Sequence, residues 1–211
     1  ILCVSGHIEF KKAVALTEKW FGDFAPANIP VRNLPQEPVQ TEQRFMLVKR
    51  EVPQNVLTMM YHMCGRRDTD YQVCDMLSDV LSNGMSSRFY RNVLVKSGLF
   101  TELDASVSGT YDPGLFIVRA RLADGVSFDK AKDAIDAELA DFVRDGASAY
   151  EIEKCANKYE STRLFDMITY EKKGVKLCQY ELLGDAADIN KEVGKYRCIT
   201  QDRLMNVAKN L

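Results

Sequence analysis

Residues 77–99 read LSDVLSNGMSSRFYRNVLVKSGL, and the punctuation of this stretch organises everything around it. Upstream, Val73, Met76, Leu77 and Val80 recur at spacings of three and four, so a helix opening at Asp70 carries one apolar stripe into the quoted segment. Ser82-Asn83-Gly84 ends that helix, because glycine reaches positive φ without a steric cost. A second, shorter helix starts near Ser86, and Gly98 closes it. Read by itself the stretch is a helical hairpin with a glycine stop at each end.

Working toward the C-terminus, Glu102 to Ser108 and Leu115 to Leu122 read as strands around a turn at residues 109–114. Leu103, Ala105 and Val107 share one face of the first, and Phe116, Val118 and Ala120 one face of the second, the alternation of a half-buried antiparallel sheet. Asp124-Gly125 is a turn. Ala131, Ile135, Leu139 and Phe142 then repeat along a helix from Phe128 to Arg144, which Gly146 stops. Ser148-Ala149-Tyr150-Glu151 has the form of a capping box. From there to Leu211 the pattern is helical: a long helix with Ile152, Cys155, Tyr159, Leu164, Met167 and Ile168 on its stripe, then shorter helices around Ile189 and Leu204.

Toward the N-terminus, residues 1–7 predict a strand, and Phe10, Val14, Thr17, Phe21 and Phe24 an amphipathic helix. Pro26, Pro30, Pro35 and Pro38 deny residues 25–42 regular structure, so these form a connector. Arg44 to Lys49 and Asn55 to Met63 predict two strands of a long hairpin, with Pro53-Gln54-Asn55 at its turn. The expected organisation is residues 1–24 as a strand-helix unit that finishes a preceding domain or starts this one, 25–42 as connector, and 43–211 as the main domain. The fold class is α+β: an antiparallel or mixed sheet with helices packed on one face.

Composition narrows the function. The chain has 211 residues, 46% hydrophobic and 27% charged, the balance of a globular protein. A formal net charge of −2 with interleaved signs offers no footprint for a phosphate backbone, so nucleic acid is not an expected partner. No run of about 18 apolar residues occurs, so no transmembrane segment is expected. The sequence opens on Ile1-Leu2-Cys3-Val4, with neither Met nor a charged leader flank, and reads as a piece of a longer protein whose export signal, if any, lies upstream. Localisation is therefore unknown from the sequence. Six cysteines, Cys3, Cys64, Cys74, Cys155, Cys178 and Cys198, show no CxxC pairing, and free, mostly buried thiols are expected.

Self-contained chemistry is missing. The two histidines, His7 and His62, each lack a second histidine three to five residues away, so the chain cannot build a hydrolytic zinc site alone. His62 reads as a structural histidine and His7 as a capping or exposed one. No GxSxG elbow, GxGxxG or GxxxxGK[ST] occurs. Asp133 and Asp136 read as solvated charges on a polar helix face.

The quoted segment resembles the LxxxLGxGxSSRLYxxLxxxxGLxY stretch of the pitrilysin, insulysin and mitochondrial processing peptidase family of zinc metallopeptidases, whose zinc motif is the inverted HxxEH. Ile1 to His7 followed by Trp20-Phe21-Gly22-Asp23 is similar to the family's VVVGD…FGD unit leading into its second domain. Gln54 to Tyr61, after VPQ, resembles the strand that follows, and Asp70-Tyr71 the DY that opens the next helix. The likeness covers most of residues 1–180.

The resemblance implies the C-terminal, zinc-free half of such a peptidase, a wall of a two-lobed chamber that encloses polypeptide substrate. Zinc is then expected only in a preceding HxxEH-type domain or partner subunit, with no cofactor, catalytic residue or metal ligand in this chain and its substrate-binding residues unknown. In active members this half usually supplies an Arg and a Tyr seven residues apart around GLxY; the aligned positions here are Leu94 and Thr101. Arg88 and Tyr90 match the motif and are assigned to packing and capping. The alternative reading is a catalytically inactive relative that serves as scaffold or as partner subunit of an active peptidase. The resemblance is compatible with a parent protein that is a zinc metalloendopeptidase or an inactive relative, this chain not being catalytic alone.

Overall fold

The structure is a computed structural model that describes residues 1–30, 33–35 and 37–211; residues 31, 32 and 36 of the expected connector lie outside the described residues. Its helices are α1 (Phe10–Phe21), α2 (Tyr71–Ser82), α3 (Val95–Ser97), α4 (Phe128–Asp145), α5 (Ala149–Asp166), α6 (Tyr170–Leu183), α7 (Glu192–Arg197) and α8 (Gln201–Asn210). A π-helical turn, Phe89–Leu94, runs directly into α3, and a 3₁₀ turn covers Ala186–Asn190.

Three strands, β1 (Val56–Met63), β2 (Phe100–Val107) and β3 (Gly114–Leu122), pair antiparallel in the order β1-β3-β2. Period-two alternation sorts their side chains cleanly. Phe116, Val118, Ala120 and Leu122 of β3 are buried together with Leu103 and Ala105 of β2, whereas Arg119 and Arg121, Asp104, and Thr58 and His62 of β1 are exposed on the other face. The α+β class with helices on one sheet face is what the chain adopts. α2 packs on β2 and meets α5, α7 and α8, and its Val73, Met76, Leu77 and Val80 enter one core with Phe89, Ile135, Phe142 and Leu204. Each such side chain, fully withdrawn from water, contributes about 1.5–3 kcal/mol of transfer free energy.

The chain divides into two units: Val4–Val52, and Ile1–Cys3 with Pro53–Leu211. In the first, α1 buries none of its residues, and Phe10 and Trp20 are 80% and 67% exposed. Two predicted strands are absent. Residues 1–7 and 44–49 make no ladder among the described residues, and Phe45 and Met46 are more than 80% exposed (81% and 83%). Alternating apolar residues supply a face but not a hydrogen-bonding neighbour, and a strand needs both. The expected hairpin is correspondingly replaced: β1 pairs with β3, Val56 opposite Arg121 and His62 opposite Leu115.

Two further expectations need correction. The long helix after Ser148 breaks at residues 167–169 into α5 and α6, and Leu164 and Ile168 are exposed rather than on a buried stripe. Thr169, whose hydroxyl accepts from the Lys172 amide, restarts the helix as an N-cap. Of the six free cysteines only Cys74 and Cys155 are buried; Cys64 and Cys178 are half-buried, and Cys3 and Cys198 are exposed, since burial follows the element that carries a thiol.

Candidate functional site

Leu94 and Thr101, the two positions marked by the sequence resemblance, each sit on a backbone irregularity. Leu94 is the last residue of the π-helical turn, a form that concentrates at functional sites. Gly98, at φ +64°, ends α3 in the left-handed region and turns the chain into β2. In β2 the register slips: Phe100 faces Leu122 and Glu102 faces Arg121, which leaves Thr101 as the extra residue of a bulge. The bulge explains the burial pattern. Phe100 and Leu103 both turn inward although they are three apart, and Thr101 and Glu102 both turn out.

The backbone thus presents these two positions with devices that normally aim functional side chains, but the side chains are inert. Leu94 is partly buried against the core and has no donor. The Thr101 hydroxyl donates to Gln54 Oε1 at 3.2 Å. Neighbouring polar groups are engaged with one another: Arg121 Nε with Glu102 Oε2 at 2.7 Å, Asn92 Nδ2 donating to Glu138 Oε1 at 3.0 Å, and Lys96 Nζ donating to Asn92 Oδ1 at 3.3 Å. Polarising a peptide carbonyl requires a hydrogen-bond donor held free for it; Leu94 has none, and the Thr101 hydroxyl is engaged with Gln54.

Arg88 of the Ser86-Ser87-Arg88 motif is committed elsewhere. Its Nε and Nη2 donate to Glu151 Oε1 and Oε2 at 2.9 and 3.0 Å, Nη2 also reaches the Gly146 carbonyl at 2.5 Å, and the guanidinium lies 4.9 Å from the centre of the Phe142 ring. Glu151 completes the predicted capping box, accepting from the Ser148 amide at 2.8 Å while Ser148 Oγ accepts from the Glu151 amide at 3.2 Å. Burial, the largest single influence, disfavours its ionisation. Arg88 together with the Ser148 amide and hydroxyl outweighs it and holds the carboxyl down at about 2. Tyr90 is half-buried in the π-helical turn.

A buried polar network that no sequence motif announces joins α2 to α7. Glu192, 1% exposed, accepts from Arg66 Nη2 at 3.1 Å and Gln72 Nε2 at 3.2 Å. Nearby, the Tyr196 hydroxyl donates to Asp75 Oδ2, and its ring stacks on Tyr159 with centroids 3.6 Å apart. Burial raises the Asp75 carboxyl above the usual range against the pull of Tyr196 and Arg66, and burial pushes the Tyr180 phenol up to about 12. A phenol so far from neutrality is a poor proton donor at physiological pH.

His7 is exposed in the bend before α1, in the first unit, and His62 lies on the exposed face of β1, in the second. Among the described residues no group of three or more His, Cys, Asp or Glu side chains could hold a metal ion, so the donor set does not fit the zinc of the resembling peptidases. Asp136 is paired with Lys132, and Asp133 is exposed. No described helix is long and apolar enough to cross a membrane.

The family model described as the peptidase M16 inactive domain matches residues 1–159. No curated protein matches the chain. Among solved structures, a protease from Helicobacter pylori superposes with a TM-score of 0.89 at 18% identity, over 98% of this chain and 50% of its own. The periplasmic protease PqqL from Escherichia coli gives 0.74 at 11% identity, over 97% of this chain and 23% of its own. A peptidase M16 inactive domain from Pseudomonas fluorescens gives 0.64 at 14%, over 74% and 37%. At these identities the structural likeness concerns the fold, and this chain spans half the length of the H. pylori protein.

Proposed function

Because the chain belongs to the peptidase M16 inactive domain family, we propose that it is the zinc-free half of a two-lobed zinc metallopeptidase and walls the chamber that encloses a polypeptide substrate. In this reading residues 25–42 connect a preceding unit (1–24), which carries α1, to the working domain (43–211). An HxxEH-bearing domain or partner subunit holds the metal.

The observation that carries the proposal is the pairing of presentation without chemistry at Leu94 and Thr101. The π-helical turn and the bulge single out the two positions, while the side chains leave bond polarisation to another lobe. What this chain offers substrate is surface and hydrogen-bonding backbone. An extended peptide adding to an open sheet edge satisfies edge amides and carbonyls with little regard for side chains, which suits a chamber with broad substrate choice.

The same two residues favour a second reading, in which the chain keeps the fold only as scaffold or partner of an active peptidase. Joining the chain to an HxxEH-bearing domain and following hydrolysis of an unfolded polypeptide separates them. The chamber reading expects cleavage that requires both pieces and falls by at least tenfold when the chain is left out; a stable complex with unchanged cleavage favours the scaffold.

A further inference from the structure

Four pairs of adjacent basic residues punctuate the sequence: Lys11-Lys12, Lys49-Arg50, Arg66-Arg67 and Lys172-Lys173. Folding withdraws three of them from attack. Lys11-Lys12 lies in α1 and Lys172-Lys173 in α6, and an endopeptidase must unwind a helix before it can bind the chain extended. The Arg66 amide donates to the Thr110 carbonyl at 2.9 Å while its guanidinium holds Glu192. The Arg67 guanidinium lies 4.1 Å from the centre of the Tyr111 ring and donates to the Leu183 carbonyl at 3.1 Å. Lys49-Arg50 is different. Residues 43–52 form no helix, ladder, turn or bend, and every side chain from 43 to 53 is exposed. Among the described residues this stretch makes no hydrogen bond to other backbone, and Arg50 Nη1 donates to the Lys49 carbonyl at 2.8 Å, a bond internal to the pair. The pair also stands just before Pro53, where the larger unit resumes, and the buried core begins only at Met63.

We propose that Lys49-Arg50 is a processing site, at which an endopeptidase with acidic pockets for two successive basic side chains cuts after Arg50 and severs the link between the two units. Exposure lets both cations enter such pockets, and extended backbone lets the enzyme pair with the chain strand to strand. Water adds across the Arg50–Glu51 amide and the C–N bond breaks. The Arg50 carbonyl carbon gains the oxygen of water and becomes a carboxylate, the Glu51 nitrogen takes both protons and becomes a new ammonium terminus, and the nucleophile of the enzyme is regenerated. The cut touches none of the buried core, so residues 51–211 keep their fold after it.

The test treats the full, folded chain with a dibasic-specific serine endopeptidase and follows it by intact mass and N-terminal sequencing, beside unstructured synthetic peptides that carry each of the four pairs. A bond that is already open is cut at the rate of its peptide, whereas a protected one is slowed by the opening it requires. The proposal expects fragments 1–50 and 51–211 as the first products, formed at a rate within about tenfold of the matching peptide, and loss of this cleavage in the double variant Lys49→Gln, Arg50→Gln. First cleavage at any of the other three pairs, or cleavage after Arg50 more than about tenfold slower than in the peptide, overturns it.

Discussion

Arg88 grips Glu151 with both nitrogens of one guanidinium edge, Nε to Oε1 at 2.9 Å and Nη2 to Oε2 at 3.0 Å, across 63 residues of sequence. The bond ties the helix of the SSR segment to the capping box of α5, and both side chains are nearly shielded from solvent, at 14% and 11% exposure. A family-marked residue is thereby explained by architecture.

Acid should weaken the fold through this pair. Glu151 is held at about 2 in the folded state, below its unfolded value, so its contribution is complete above about pH 4.5 and is lost as pH falls through the folded value. The expected loss is about 2 kcal/mol between pH 4.5 and 2. Urea midpoints measured across that range check it, and Glu151→Gln should be less stable at pH 7 and lack most of this acid-dependent part.

Tyr196→Phe should cost about 1–3 kcal/mol, because it leaves the half-buried Asp75 carboxylate without its phenol donor while keeping the stack on Tyr159. The loss should be larger at pH 8 than at pH 4, where Asp75, already raised by burial, takes a proton. Thermal unfolding at the two pH values decides it.

Gly65→Ala should destabilise by more than an ordinary glycine-to-alanine change. An added Cβ would lie 2.6 Å from the Tyr111 carbonyl oxygen and 2.8 Å from the Asp112 carbonyl carbon, both backbone. The β2–β3 turn must shift away, at a cost of about 1–3 kcal/mol. Equilibrium denaturation that leaves the midpoint unchanged would contradict the close approach.

Leu94→Arg with Thr101→Tyr tests whether the presenting backbone is functional. Thr101 is exposed on the bulge and accepts the larger ring, whereas Leu94 is partly buried and its replacement should lower stability by about 1–2 kcal/mol. Joined to an HxxEH-bearing domain, the double variant should raise peptide turnover about tenfold or more, the scale of an added transition-state donor. Unchanged turnover would mean that the two irregularities no longer face a substrate.

Much of this fold was legible where local chemistry decides it. The stripe Ala131, Ile135, Leu139, Phe142 specified α4, and Ser148 with Glu151 specified the start of α5, because periodicity and capping act within a few residues. The two unmade strands at residues 1–7 and 44–49 and the β1–β3 pairing were not, since ladder partners are chosen by tertiary structure. The site divided the same way. Sequence marked Leu94 and Thr101, but the π-helical turn and bulge beneath them and the Glu192 network arise from residues brought together by folding.

Whether the chain carries a metal centre of its own is decided by a zinc titration of the purified chain, paired with a fluorogenic peptide assay in the presence and absence of chelator. No stoichiometric zinc uptake and no chelator-sensitive cleavage are expected. One equivalent of tightly held zinc that is lost on replacing His7 or His62, accompanied by peptide hydrolysis that a chelator abolishes, would contradict the account.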